Sequence, residues 1–266
     1  MNTIYIAHML SFILLYSFGG WLLESISKTI EEKQWVNSGF LNGPVCPIYG
    51  LGAAIMILGL SFLKEKPILL FIVSFFLLSI WEYVVGVFLE KVFKTKYWDY
   101  SHLKFNIQGR VCLKNSIYWG ILGVLFIRYV HPFVEARIAQ IPIEILIYVN
   151  IILYSILIVD VIFSVMTMIH IDSALAKVNE LGESIKEKLE ELKNEKNEAT
   201  SKTTTENIEK LIRELKIKQT KLKIRIYRQA RRLKLAFPSM KSETITQFLN
   251  EKIDLEALKK IIKKEK

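Results

Sequence analysis

The chain reads as an all-α protein: a polytopic transmembrane helical bundle of about five spans, followed by a cytoplasmic helical-hairpin, coiled-coil tail. Three observations predict this. Five apolar stretches fill the first two-thirds of the 266 residues, each near the roughly 20 residues a helix needs to cross hydrocarbon. Charge is unevenly divided: residues 1–171 hold twelve Lys/Arg and ten Asp/Glu, and residues 172–266 hold twenty-four and sixteen. The second part also carries apolar residues at three- and four-residue steps, the period of a helix seeking a partner. The mean hydropathy of +0.29 therefore averages two unlike halves, with a boundary near Ile171–Asp172.

The first span is Ile4–Leu23. It lacks a basic leader and a small-residue cleavage site, so it is expected to be retained. Val45–Leu63 and Ile68–Leu89 follow. Cys112–Val130 is the least clean, with Lys114 and Arg128 near its ends, and leaves a four-span, re-entrant alternative open. Ile143–Ile171 is long enough to tilt or to project from the bilayer. The expected organisation is a transmembrane domain over 1–171, with units 4–63 and 68–130 and a fifth span at 143–171. A hairpin over 172–236 and short amphipathic helices over 237–266 complete it.

Loop charge predicts orientation. One set of loops holds Lys28, Lys33, Lys91, Lys94, Lys96, Lys104 and Arg110, together with the basic tail. The opposite set holds Lys64, Lys66 and Arg137, with Arg128 at a helix end. This places the N-terminus outside the cell membrane and the tail in the cytoplasm.

Sliding the chain by 66 residues aligns Gly20, Leu23, Glu24, Lys28, Thr29, Gly43, Val45 and Cys46 with Gly86, Leu89, Glu90, Lys94, Thr95, Gly109, Val111 and Cys112. Each unit is helix, loop, helix, and the two share an orientation, as in parallel-repeat transporters. The expectation is that both loops meet in one cytoplasmic vestibule lined by Glu24 and Glu90.

Carboxylates inside apolar spans are the first candidates for function, because hydrocarbon strongly disfavours them. Glu82 and Asp160 are buried in sequence by their neighbours, and suit either a proton or cation pathway or a packing contact. The first loop, Asn37–Gly50, is rich in Gly and Pro and offers Asn42 beside free backbone donors at a helix start. In the second, Tyr97, Trp98 and Tyr100 fit an interfacial belt, which leaves Asp99, Asn106, Gln108 and Arg110 to explain; Asp99, Tyr100, Asn106 and Arg110 join the vestibule candidates. Arg110 presents a planar fork suited to a carboxylate or a phosphate.

Cys46 and Cys112 are the only cysteines. Their separation matches no zinc spacing, so small buried residues is the preferred reading and no metal is expected. No Walker-type nucleotide motif occurs, and no cofactor is expected. In the tail, Leu175, Val178, Leu181, Ile185, Leu189 and Leu192 form one stripe. Ile208, Leu211, Leu215, Leu222 and Ile226 form another beyond a break at Asn197–Thr204, where Thr203 and Glu206 suggest a capping box. Lys216–Lys234 holds nine Lys/Arg and no acid, which suits anionic lipid. Nucleic acid is disfavoured, since Tyr227 alone offers no stacking platform.

The first 130 residues resemble the ABC-transporter type IV, or CmpB-like, family of bacterial membrane permeases. The resemblance rests on Tyr16–Glu24, Asn37–Gly50, Glu82-Tyr83 with Gly86 and Glu90, Trp98–Ser101, Asn106–Leu113 and Trp119-Gly120. It implies a permease subunit working with a separate cytosolic ATPase. Two other readings stay open: an intramembrane enzyme acting on a lipid or lipid-linked substrate at the cytoplasmic face, and a scaffold or homo-oligomer working through its tail.

Overall fold

A computed structural model describes residues 3–197 and 202–250. Helices dominate it. Four of them are long and apolar enough to cross a membrane: α1 (Thr3–Glu32), α3 (Pro67–Phe93), the run Leu113–Ile138, and α6 (Ile143–Ile169). The second apolar stretch is shorter. It forms α2 (Pro47–Leu60) and a 3-10 turn over Ser61–Leu63, because an irregular loop runs as far as Cys46. Pro47 then starts the helix where its missing N–H costs nothing.

The fourth stretch, the least clean in sequence, is one continuous run. It comprises α4 (Leu113–Leu125), a π-turn over Phe126–Val130 and α5 (His131–Ile138). The widened turn directly precedes Pro132, whose ring removes a donor and crowds the carbonyl four residues back.

Close helix approach depends on particular glycines. A Cβ at Gly50 would strike Ser17 and the Ile13 carbonyl, and one at Gly20 would strike the Tyr49 ring, so α1 and α2 pack backbone against side chain. Gly120 and Gly123 do the same for α4 against Phe71 and Ser74 of α3. An apolar core of Ala53, Met56, Leu60, Leu63, Leu70, Leu78, Phe126 and Ile127 gathers where α2, α3 and the π-turn meet.

Helix α6 is held to α1 mainly by polar contacts. Asn150 Nδ2 donates to the Ala7 carbonyl at 2.9 Å, Ser11 Oγ to Asn150 Oδ1 at 3.1 Å, and Tyr154 OH to the Leu10 carbonyl at 3.1 Å. Its apolar surface is otherwise largely exposed, with Tyr148, Ile151, Ile156 and Phe163 all more than half so.

The chain divides into two compact units. One comprises Met1–Val165 together with Leu233–Ser242, and the other Met166–Arg232 with Glu243–Lys266. The second contains α7 (Ile171–Asn197), most of α8 (Lys202–Ala236) and α9 (Glu243–Asn250). Val178, Leu181, Ile185, Ile208, Ile212, Ile224 and Ala230 are buried there, and Gln219 Nε2 donates to the Val178 carbonyl at 2.9 Å. The expected break at 197–204 falls partly, and the tail end at 251–266 wholly, outside the described residues.

Candidate functional site

Two loops carry the candidate residues. Loop 1 (residues 33–46) joins α1 to α2, and loop 2 (94–112) joins α3 to α4. They share one end of the bundle: Phe40 packs its ring 4.9 Å from Phe93 and 5.8 Å from Tyr97. Each loop ends on a cysteine with extended backbone, Cys46 before α2 and Cys112 before α4, and both are buried.

Between the helices below these loops lies a polar cluster. Glu82, 5% exposed on α3, accepts from Trp119 Nε1 at 2.9 Å and from Tyr100 OH at 3.3 Å, and Asn115 adds a further hydrogen bond. Glu24 on α1 accepts from Tyr49 OH at 3.1 Å and from Lys28 Nζ at 2.5 Å, with Cys46 Sγ 4.0 Å away. The Tyr49 and Trp119 rings, 6.3 Å apart, connect the two carboxylates. Burial first, then the Glu82 carboxyl beside it, pushes the Tyr100 hydroxyl well above its usual range. Tyr100 is therefore held as a donor.

The remaining candidates lie elsewhere. Glu90 is held by Arg110, whose Nε and Nη2 lie 3.1 and 2.8 Å from one carboxylate oxygen. Arg110 also bonds Gln108 and stacks over the Tyr83 ring at 5.5 Å. Asn42 and Asp160 form a third group. The Asp160 carboxylate accepts from Asn42 N (3.1 Å), Asn42 Nδ2 (3.2 Å), Gly43 N (2.7 Å) and Ser164 Oγ (3.2 Å), so an acid of α6 caps loop 1.

Asp99 and Asn106 organise loop 2. Asn106 donates to the Leu103 carbonyl and accepts from Gly109 N, closing the short β1–β2 hairpin (Asn106–Ile107 with Val111–Cys112). Burial alone would raise the Asp99 carboxyl. The ammonium groups of Lys241 and Lys96, with the Ser101 hydroxyl and N–H, outweigh it and hold Asp99 well below the usual carboxylate range. Gly109 has φ +69°, and a Cβ there would run into Asp99, Ser101 and Lys96.

The expected single vestibule is thus divided. Glu24, Glu82 and Tyr100 share the buried cluster, and Cys46 borders it beside Glu24. Glu90 and Arg110 pair with each other, while Asn42 and Asp160 brace loop 1. Sequence reasoning passed over Tyr49 and Asn115 as site residues. The 66-residue offset carried that signal, since it places Asn115 opposite Tyr49, one polar residue at the same depth of each second helix. Among the described residues, no group of three or more His, Cys, Asp and Glu could hold a metal ion.

Four helices of membrane-crossing length, three of which join α2 in building a buried polar cluster, define a polytopic membrane protein. The chain belongs to the family described as Putative ABC-transporter type IV (ABC_trans_CmpB), whose model matches residues 11–165. The match ends where the first stretch of the membrane unit ends, at Val165, and includes every residue of the four groups above except the Lys241 partner of Asp99. No curated protein and no solved structure matches the chain.

Proposed function

We propose that the chain is a permease-like membrane subunit that works with a separate ATPase, and that the Glu24–Tyr49–Trp119–Glu82–Tyr100 cluster lines its translocation path. The observation that carries this reading is Glu82. A carboxyl 5% exposed within an apolar helix, hydrogen-bonded by side chains from α4 and loop 2, belongs at a functional position rather than in lipid. The family description supports the ATPase partner, as does the lack of any nucleotide motif in this chain.

In this reading α2 and its 3-10 turn form the fifth crossing. The N-terminus is then outside, and both loops and the tail are cytoplasmic, where the basic loops favour them. The tail pairs α7 with α8 as a coiled coil. The exposed cations Lys218, Lys221, Arg225 and Arg228 of α8, at helical spacing, meet anionic headgroups at about 1 kcal/mol each. The enzyme alternative draws on Arg110 as a phosphate clamp, yet that fork is already engaged by Glu90 and Gln108.

Purification of the full chain in mild detergent should bring down an ATPase. The ATP hydrolysis of that complex in liposomes should fall about tenfold or more with Glu82→Gln, the scale of a displaced or missing site group. Repeated recovery of the chain alone, or full activity in Glu82→Gln, overturns the proposal.

A further inference from the structure

Loop 2 is covered by a segment from far along the chain. Lys96 and Lys241 exchange both backbone hydrogen bonds, 3.1 and 2.8 Å long, in an antiparallel bridge. The Phe237 ring meets Tyr97 edge-on at 5.0 Å. Lys28 Nζ lies 5.1 Å over that Phe237 ring and also bonds the Ala236 carbonyl. Asp99 N donates to Ser239 Oγ at 3.2 Å, and Lys241 Nζ reaches Asp99 Oδ2 at 2.5 Å. Leu233, Ala236 and Met240 are buried. These contacts lie within one compact unit, although the 67 residues Met166–Arg232 belong to the other.

We propose that this face of loop 2 is a peptide groove, filled in cis by Phe237–Lys241, and that vacating it releases loop 2 and with it Tyr100. The recognition is strand addition. Main-chain bonds to Lys96 provide the pairing, Tyr97 and Lys28 form a socket for an aromatic ring, and Asp99 selects a cation four residues further on. A partner segment of the same chemistry, an aromatic residue followed after three residues by Lys or Arg, would compete for it. The strap is suited to exchange. Pro238, Ser239 and Lys241 are exposed, the Lys241–Asp99 pair is wet on the lysine side (68% exposed), and a single bridge anchors the backbone. Such elements sit at the low end of local stability. The inference goes beyond the transport reading and does not depend on it.

The two cysteines report the outcome. Cys112 closes loop 2 and Cys46 closes loop 1, and both are buried. In the full chain in nanodiscs, maleimide labelling read at each cysteine by peptide mass spectrometry should show Cys112 reacting about tenfold faster in Phe237→Ala/Lys241→Glu, with Cys46 unchanged. Lys241→Arg should retain the native rate, and a synthetic peptide of residues 235–242 added to the double variant should slow Cys112 alone by refilling the groove. Unchanged Cys112 labelling, or an equal rise at both cysteines, overturns the proposal. Should the double variant fail to fold, Lys96→Cys/Lys241→Cys supplies the test, as paired residues in an antiparallel bridge lie within disulfide reach. The oxidised form must label at Cys112 more slowly than the reduced form, and equal rates sink the groove.

Discussion

Loop 1 and loop 2 follow one sequence template, and the structure makes different things of them. Both descend from a helix bearing Gly-x-x-x-Glu and both end on Gly-x-Val-Cys. In the first unit the glutamate turns inward: Glu24 meets Tyr49 of the next helix. In the second, Glu90 is drawn to Arg110, and the inward acid is Glu82, two turns earlier, which stands opposite Tyr16 in the alignment. The residue opposite Arg110 in loop 1 is Pro44. At that position loop 2 carries a cation that pairs with the repeated carboxylate, and loop 1 carries none. The loops also differ in what braces them: an α6 carboxylate, Asp160, for loop 1, and the strap Leu233–Ser242 for loop 2. A shared template fixes the backbone, while its neighbours decide which acid enters the interior.

The widest gap between the units should appear at their aligned glycines. A Cβ at Gly20 collides with the Tyr49 ring, whereas one at Gly86 meets Trp98 and Arg110 side chains at 3.3 and 3.5 Å. Gly20→Ala should destabilise by about 2–3 kcal/mol through overpacking. Gly86→Ala should stay within about 1 kcal/mol, because the gain in helix propensity offsets a soft contact. Gly19→Ala, with nothing within 4 Å, is the control. Thermal melts in detergent would rank the three, and equal losses at Gly20 and Gly86 would remove the asymmetry.

The braces come next. Asp160→Ala strands the part-buried Gly43 N–H and removes the bonds to the exposed Asn42, a loss of about 1 kcal/mol. It should speed labelling of Cys46 and leave Cys112 alone, the mirror image of releasing the strap. Equal response of both cysteines would mean that the loops open as one body.

Much of this was legible in the sequence, and the illegible part has a physical origin. Apolar length identified α1, α3 and α6 with their neighbours, since crossing hydrocarbon is a one-dimensional requirement. The loop motifs located the irregular connections between helices because Gly, Pro and Asn report local backbone. Helix rotation was not legible. Whether Glu82 or Glu90 faces inward depends on the angular setting of α3, and both lie on a helix that is apolar all round. The strap was hidden for a related reason. Phe237-Pro238 reads as the end of a helix, and nothing local indicates that Lys241 will meet Lys96.

Acid offers a milder probe of loop 2 alone. Asp99 is held below its ordinary value by Lys241, Lys96 and Ser101 against the cost of burial. A carboxyl depressed on folding contributes stability that is fully present above its unfolded pKa, about 3.9. That contribution fades as pH falls through the lower folded value. Cys112 protection should therefore be level from neutral pH down to about pH 5 once thiolate ionisation is corrected for. It should weaken only in stronger acid, with Cys46 following a different curve. A loss of Cys112 protection centred near pH 6 would contradict this assignment.

The smallest effect concerns the pair that separates the two glutamates. Arg110 and Glu90 have side chains 16% and 37% exposed, so solvent screens much of their attraction, and surface pairs of this kind contribute about 1 kcal/mol or less. A double-mutant cycle through Glu90→Gln and Arg110→Gln isolates the coupling, provided neither change creates a new contact. A value of about 0.5–1 kcal/mol is expected, with Arg110→Lys retaining part of it, because an ammonium replaces the charge without the fork. The orientation of Glu90 would then rest on a weak interaction added to a helix already placed by its packing. A coupling above about 3 kcal/mol would instead mark a desolvated pair. Arg110 and Glu90 would then belong with Glu82 in the interior, and the contrast between the two loops would collapse into one continuous site.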